Sequence, residues 1–287
     1  MKIKNIVLVG SCMVMLSCAA RNTDKMDYLN DYYPSIYKAD SLFHYSGSKE
    51  DAFLLYRSVY KKHPVLGNDF YDSYKNYLKS GYLTHNDFGG RKSLITYLKS
   101  QAGYLTYKSD DSLLNVIYKA YLIDDDDIEK IITHSRKKIK VRLRDSIIVI
   151  KERDQENNRS INKTLIKNDS MNEKSLLRIF NNEGFPGYDK IGGEGPKREN
   201  LNLTAVLMHM NYGKNYETFK AKLYTFLKNG ELDPLTYALF IDKHNNTNRK
   251  PSEYGYLSSS QIDTIRINSN RKKIGLPTLS YENLKNK

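Results

Sequence analysis

Apolar residues recur at helical spacing along most of this chain, and that periodicity restricts it to helices packed on helices. Ala52, Leu55, Tyr56, Val59 and Tyr60 stand at i, i+3, i+4, i+7 and i+8, one stripe of a 3.6-residue helix that must be hidden against a neighbour. His63-Pro64 closes this helix, because the residue before a proline is pushed out of the α region. Leu113, Val116, Ile117, Ala120 and Tyr121 repeat the spacing, with Asp110 or Asp111 placed to cap the start and Asp124 to Asp127 marking the exit. Ile128, Ile131, Ile132, Ser135, Ile139, Leu143 and Ile147 continue it without a proline or glycine, through a basic stretch from His134 to Arg144.

Between these helices lies an internal echo. Tyr77-Leu78-Lys79-Ser80-Gly81-Tyr82-Leu83-Thr84 returns as Tyr97-Leu98-Lys99-Ser100, then Gln101-Ala102, then Gly103-Tyr104-Leu105-Thr106. Each copy predicts a helix end followed by a glycine in the left-handed cap. A period of about twenty residues suits single helices in a stack, two per repeat. The stretch from about residue 32 to residue 122 resembles a degenerate tetratricopeptide-type array, with Ala52 and Tyr56 in its packing register. Such units share a core only by stacking, and the resemblance implies a concave face that binds a protein segment. Tyr71, Tyr74, Tyr77 and Tyr82 serve either that face or the stacking core.

The texture changes past Arg153-Asp154. A helix over 172–180 (Leu176, Leu177, Phe180) is closed by Asn182-Glu183-Gly184, and a glycine- and proline-rich turn follows. Leu203, Val206, Leu207 and Met210 stripe the next helix. Phe219, Leu223, Phe226 and Leu227 stripe another, ended by Gly230. Asp233-Pro234 reads as an N-cap with proline at the first helical position, leading to Leu235, Ala238, Leu239 and Asp242. Five segments carry a family resemblance: Gly184-Phe185-Pro186, Met208-His209-Met210-Asn211, Tyr237-Ala238-Leu239-Phe240-Ile241-Asp242-Lys243, Tyr254-Gly255-Tyr256-Leu257 and Arg271-Lys272-Lys273-Ile274-Gly275-Leu276. In order and spacing, residues 153–281 resemble an uncharacterised bacterial domain family, a domain of unknown function found in Bacteroidota and elsewhere. Its members show Gly-Trp-Pro, Gln-His-Ala-Asp, Tyr-Ala-Leu-x-Asp-Arg, Tyr-Gly-x-Gln and Arg-x-x-x-Gly-Leu. Phe185, Met208 and Asn211 depart from that pattern, and the glutamine of the glycine turn is lost. The resemblance implies no activity.

The first residues read as an address. Lys2 and Lys4 precede an apolar run too short to span a bilayer, so a signal peptide fits better than an anchor. Met15-Leu16-Ser17-Cys18 resembles the lipobox of bacterial lipoproteins, which implies cleavage before Cys18 and a diacylglyceryl (and palmitate-type acyl) modification of that cysteine. Asn22-Thr23-Asp24 begins a polar tether. No clear acidic run follows Cys18, which points to the periplasmic side of the envelope rather than the cell surface.

Composition narrows the function classes. Cys12 and Cys18 are the two cysteines, so a disulfide framework, a Cys-based zinc site and a cysteine nucleophile are excluded downstream. A net charge of +13 suits acidic glycans or lipid headgroups, or else a solvated lysine-rich surface. Export and the lack of an aromatic-flanked basic motif argue against nucleic acid. Among side chains able to do chemistry, His209 and Asp242 stand out, with His244 two residues past Asp242 and Arg153 or Asp154 as further polar candidates. A histidine held by a carboxylate is a general base; the same pair buried would be a packing contact. Gly192-Gly193-Glu194-Gly195 lacks the Gly-Lys-Ser/Thr ending of a phosphate loop and reads as a turn. No cofactor motif is present.

The sequence therefore predicts a mainly α fold. It comprises a signal peptide (1–17), a tether (18–30), tetratricopeptide-like hairpins (31–145) and a small α-helical C-terminal domain with irregular Gly/Pro loops (146–287). The expected role is a non-enzymatic envelope lipoprotein, a binding or scaffold module for a protein or acidic glycan. The alternative is a hydrolase or metal-dependent enzyme using His209 and Asp242.

Overall fold

The computed structural model describes residues 26–66, 71–104, 111–257 and 263–281. The lipobox and Cys18 lie outside these residues. The protein is mainly α, with no strand among the described residues beyond an isolated bridge between Glu194 and Asn200. A π-helical turn over Tyr28–Tyr32 runs into α1 (Tyr33–His44). Then come α2 (Lys49–Lys62), α3 (Tyr71–Leu83), α4 (Gly90–Ser100), α5 (Ser112–Ala120), α6 (Asp125–Arg136) and α7 (Val141–Asp154). The second half holds α8 (Asn162–Asn182), α9 (Tyr188–Ile191), α10 (Thr204–His209), α11 (Tyr216–Lys228), α12 (Pro234–Thr247) and α13 (Thr264–Lys273). Residue 145, the boundary expected between the two domains, falls inside α7. Tyr28 and Leu29, assigned to the tether from sequence, are buried in the body.

Local chemistry sets the helix ends. Asp111 caps α5 by accepting from the Leu114 amide at 3.1 Å, Asp124 caps α6 through Asp127, and Asp233 caps α12 through Thr236 with Pro234 behind it. Three further aspartates occupy the first turn of α6, where the positive end of the helix dipole favours them. His63 ends α2 in an extended conformation, as the following proline requires. The single helix expected across 128–147 is broken into α6 and α7 at Lys137–Lys140, where the Lys140 amide donates to the Lys190 carbonyl at 2.8 Å. A contact with the second half replaces the helical bond there.

The stripe of α2 is buried as its spacing requires: Ala52, Tyr56 and Val59 are inaccessible, as is Phe53 beside them. In α5 the buried residues are Leu114, Ile117 and Tyr118, while Val116 is half exposed. The helix is rotated from the expected stripe because Leu114 and Tyr118 offer an equally regular face with more area to hide. In α12, Tyr237, Phe240 and Ile241 go inward and Leu235 outward, for the same reason.

The echoed glycines do not cap helices. Gly81 lies inside α3, where an added Cβ would sit 2.8 Å from Phe88 Cβ and 2.9 Å from the Phe53 ring. Phe53 stacks on Tyr77 next to it, with ring centroids 5.5 Å apart. Gly103 lies against the backbone of Gly192 and Gly193, and its carbonyl accepts from the amides of Gly193 and Glu194 at 3.0 and 3.1 Å. Both glycines serve close approach. The Gly192–Gly195 turn is thereby fixed by α4's end.

One hydrophobic core runs through both halves. Tyr33, fully buried, donates from its hydroxyl to the carbonyls of Leu232 (3.0 Å) and Leu227 (3.3 Å), and its side chain lies against Gly275. Tyr74 and Tyr77 belong to this core and Tyr82 packs against it.

Candidate functional site

Two of the residues singled out from sequence sit in separate networks. Asp242, on α12, is inaccessible to solvent. Its carboxylate accepts from the Ser252 hydroxyl (2.6 Å) and from the amides of Glu253 (2.7 Å), Tyr254 (3.0 Å) and Tyr256 (2.9 Å). Such an array folds the 252–256 turn onto α12, as a buried carboxylate with several N–H donors does. Arg271 completes the cluster. It is fully buried, donates to the carbonyls of Pro277 (2.5 Å) and Tyr254 (2.9 Å), and carries its guanidinium 4.9 Å from the centre of the Tyr256 ring. Three of the five resemblance segments thus meet in one interlocked structural core.

His209 ends α10 and pairs elsewhere. Its Nδ1 is 2.8 Å from Asp154 Oδ1, at the last residue of α7. His209 and Asp242 do not pair: the carboxylate of Asp242 is enclosed by the 252–256 turn. Burial alone would raise the Asp154 carboxyl, but the hydrogen bonds from His209 and Gln155 and the charges of His209 and Arg159 outweigh it and hold the group below its usual range. An ionised carboxylate only accepts, so the proton of this hydrogen bond is on Nδ1.

Arg159 joins this pair to a second carboxylate. It donates to Asp154 Oδ1 (2.9 Å) and, through both terminal nitrogens, to Asp169 of α8 (3.0 and 2.9 Å). The Tyr212 hydroxyl also donates to Asp169, and burial followed by that carboxylate's proximity pushes the phenol up to about 12. Arg159 has a left-handed backbone, φ +57°. That conformation costs an L-residue about 1–2 kcal/mol, and here the bidentate pairing holds it in place. Below the network, Arg153 donates to Asn172, whose amide donates to the Ile150 carbonyl. The end of α7 therefore meets the first half of α8 through polar groups, while Ile147 of α7 and Leu176 and Ile179 of α8 are buried apolar residues.

The network opens on a cleft of about 180 Å³ lined by Ile166, Asp169, Ser170 and Glu173 of α8 and by His209, Met210, Tyr212 and Gly213. Glu173 Oε1 is buried there with no hydrogen-bond partner. Ser170 is exposed on the same face, and His209's hydrogen bond is to Asp154. His244 lies apart. Its ring stacks on Tyr216 with centroids 3.5 Å apart, and its Nδ1 is 2.6 Å from the Asn211 carbonyl. Among the described residues no three His, Cys, Asp or Glu side chains are grouped to hold a metal ion.

Arg159, Asp169, Glu173 and Tyr212 escaped the sequence reading. One signal was present: stepping back from Leu176 along its own stripe lands on Asn172 and Asp169, so polar residues occupy the inward face of α8. A polar inward face marks a buried network.

No protein-family model, curated protein or solved structure matches this chain.

Proposed function

We propose that this protein is a lipid-anchored, non-enzymatic binding or scaffold module of the bacterial cell envelope, held on the periplasmic side through Cys18 and serving a protein or glycan partner. The observation that carries the reading is the closure of its polar network. Asp154, Arg159, Asp169 and Tyr212 are bonded to one another, and Asp242 is enclosed by the 252–256 turn. The groups left facing the cleft suit recognition. The anchoring part of the reading rests on Met15-Leu16-Ser17-Cys18 and the short apolar run before it. No helix among the described residues is long and apolar enough to cross a membrane.

A second reading has one observation in its favour. The Asp154–His209 pair borders an open cleft, and a histidine oriented by a buried carboxylate is a general base. Asp154, not Asp242, would be the orienting group.

Two measurements test these readings. Cys18→Ala is expected to abolish incorporation of labelled palmitate and to leave the precursor uncleaved; unchanged labelling overturns the anchor. Incubation with ester, amide, glycoside and phosphoester substrates is expected to give no turnover that His209→Ala removes. Such turnover would replace the binding reading with the hydrolase.

A further inference from the structure

We infer that the cleft between α8 and the 209–213 corner is a binding site for an alkylammonium group, such as the side chain of a lysine, with Glu173 as its acceptor. The inference rests on the binding reading above and specifies what is bound.

Charge comes first. The protein carries +13 overall, yet this cleft and the network beneath it combine Asp154, Asp169 and Glu173 with the single guanidinium of Arg159 and the ring of His209. The guanidinium is engaged by Asp154 and Asp169 together, so Glu173 faces the cleft without a cation of its own. Its Oε1 is buried and unpartnered, and a buried carboxylate oxygen without a donor is costly. With no internal donor on Oε1 to hold it, the carboxylate is free to turn to an ammonium in the cleft and accept a charge-assisted hydrogen bond from it. An anion would meet Asp169 and Glu173 and be repelled. The general positive charge of the surface acts weakly at this range, since screening sets in over about 8 Å at physiological salt.

Shape comes second. Ile166, Met210 and the Tyr212 ring form apolar walls above the carboxylate. Ile166 is 68% exposed and Tyr212 50%, so both offer area that a passing aliphatic stem would cover. A long side chain with an apolar stem and a cationic tip matches that sequence of walls and floor. Gly213 lets the corner approach the carboxylate: a Cβ there would stand 3.0 Å from Glu173 Oε1. Gly213 has φ −71°, so alanine fits its backbone and would act as a steric plug.

The test uses the full chain and three probes followed by NMR titration: N-acetyl-lysine methylamide, its norleucine analogue and n-pentylamine. The lysine amide is expected to perturb Ser170, Glu173, Tyr212 and Gly213, with the uncharged norleucine analogue weaker by about tenfold or more. Pentylamine binding as tightly as the lysine amide would identify a free amine as the source; tighter binding of the lysine amide would identify a polypeptide. Glu173→Gln and, independently, Gly213→Ala should each weaken the lysine amide by about tenfold, with thermal midpoints checked to show that both variants fold. Norleucine binding equal to lysine, no saturable binding of either amine, or unchanged affinity in folded Glu173→Gln overturns the inference. None of those three results bears on the search for His209-dependent turnover, so the binding reading stands or falls separately.

Discussion

Asp154 and His209, 55 residues apart in sequence, are joined by a 2.8 Å contact between Oδ1 and Nδ1 that ties the end of α7 to the end of α10. The Asp154 side chain is fully buried, so this contact and the ion pair to Arg159 exchange little with water. Three chain segments depend on one carboxylate: α7, the Arg159 turn and α10.

Replacing that carboxylate is expected to cost stability in a pH-dependent way. Asp154→Asn leaves Arg159 facing an amide and should lower the unfolding free energy by about 3 kcal/mol at pH 7, the scale of breaking a buried ion pair. The folded carboxyl lies below its usual range. Its contribution is therefore fully present above the unfolded value of about 3.9 and is lost as pH falls through the lower folded value. In urea melts, the advantage of the wild type over Asp154→Asn should be flat from pH 7 to pH 5 and shrink below about pH 4. A flat difference through that lower range would show that the ion pair is not formed.

Asp40 in α1 should behave with the opposite sign. Burial raises its carboxyl and prevails over the hydrogen bonds from Tyr56, Ser73 and Asn76 that would lower it. A carboxyl raised in the folded state contributes stability that is present below its unfolded value and lost as pH rises through the folded one. Relative to Asp40→Asn, the wild type is expected to gain stability as pH is lowered from 7 towards 4. The same urea series reads both aspartates, and parallel trends for the two would contradict the structure.

The contrast between these residues and Asp242 shows what the sequence could reveal. Helix positions followed from periodicity, and caps followed from Asp233 and from the Asp110–Asp111 pair, because each depends on neighbours a few residues away; Asp124, read as the exit of α5, caps α6. The faces of α5 and α12 followed only in part: Ile117, Ala238 and Asp242 are buried as their spacing predicts, but Tyr118 and Tyr237 compete with Val116 and Leu235 for burial and only the partner helix decides. His209 and Asp242 were conspicuous as residue types. Their partners, Asp154 at one and residues 252–256 at the other, come from other elements, which spacing along one helix cannot identify. Gly81 and Gly103 looked like helix ends for the same reason: the Phe88 ring and the Gly192 backbone that require them are distant in sequence.

Asp242→Ala is expected to be a folding lesion. It removes the acceptor for one hydroxyl and three backbone amides, all in the 252–256 turn. Unmade hydrogen bonds to buried donors cost about 1–3 kcal/mol each where water cannot enter. Hydrogen exchange should show the amides of Glu253, Tyr254 and Tyr256 losing protection in folded Asp242→Ala, with those of α6 little changed. Retained protection at all three amides would mean that the carboxylate does not hold the turn.

Gly103→Ala tests a contact between backbones. The new methyl would lie 2.6 Å from Gly192 Cα and 2.7 Å from the Gly193 nitrogen, and backbone cannot swing aside as a side chain can. Overpacking of this kind costs about 1–3 kcal/mol, and separation of the two segments would also break the bonds from Gly193 and Glu194 to the Gly103 carbonyl. Gly47→Ala is the comparison. Nothing lies within 4 Å of its added Cβ, but its φ of +71° is left-handed, so its loss should stay near 1 kcal/mol. Equal losses in the two variants would remove the steric argument.

Tyr33 bears on whether the two halves unfold together. Its hydroxyl donates to the Leu227 and Leu232 carbonyls at the end of α11 and beyond, with its ring fully buried, and Gly230 and Gly275 admit Tyr28 and Tyr33 at contact distance. A shared core makes unfolding of one half expose apolar surface on the other, which couples their stabilities. Thermal unfolding followed by far-ultraviolet and near-ultraviolet circular dichroism is expected to give one coincident transition. Tyr33→Phe, which removes the hydroxyl donor to the Leu232 carbonyl and an additional donor to that of Leu227, should lower the stability of the whole protein by about 1–2 kcal/mol and shift both signals together. Two resolved transitions, with the Tyr33→Phe effect confined to one of them, would show that the segment before residue 145 and the segment after it fold as independent units.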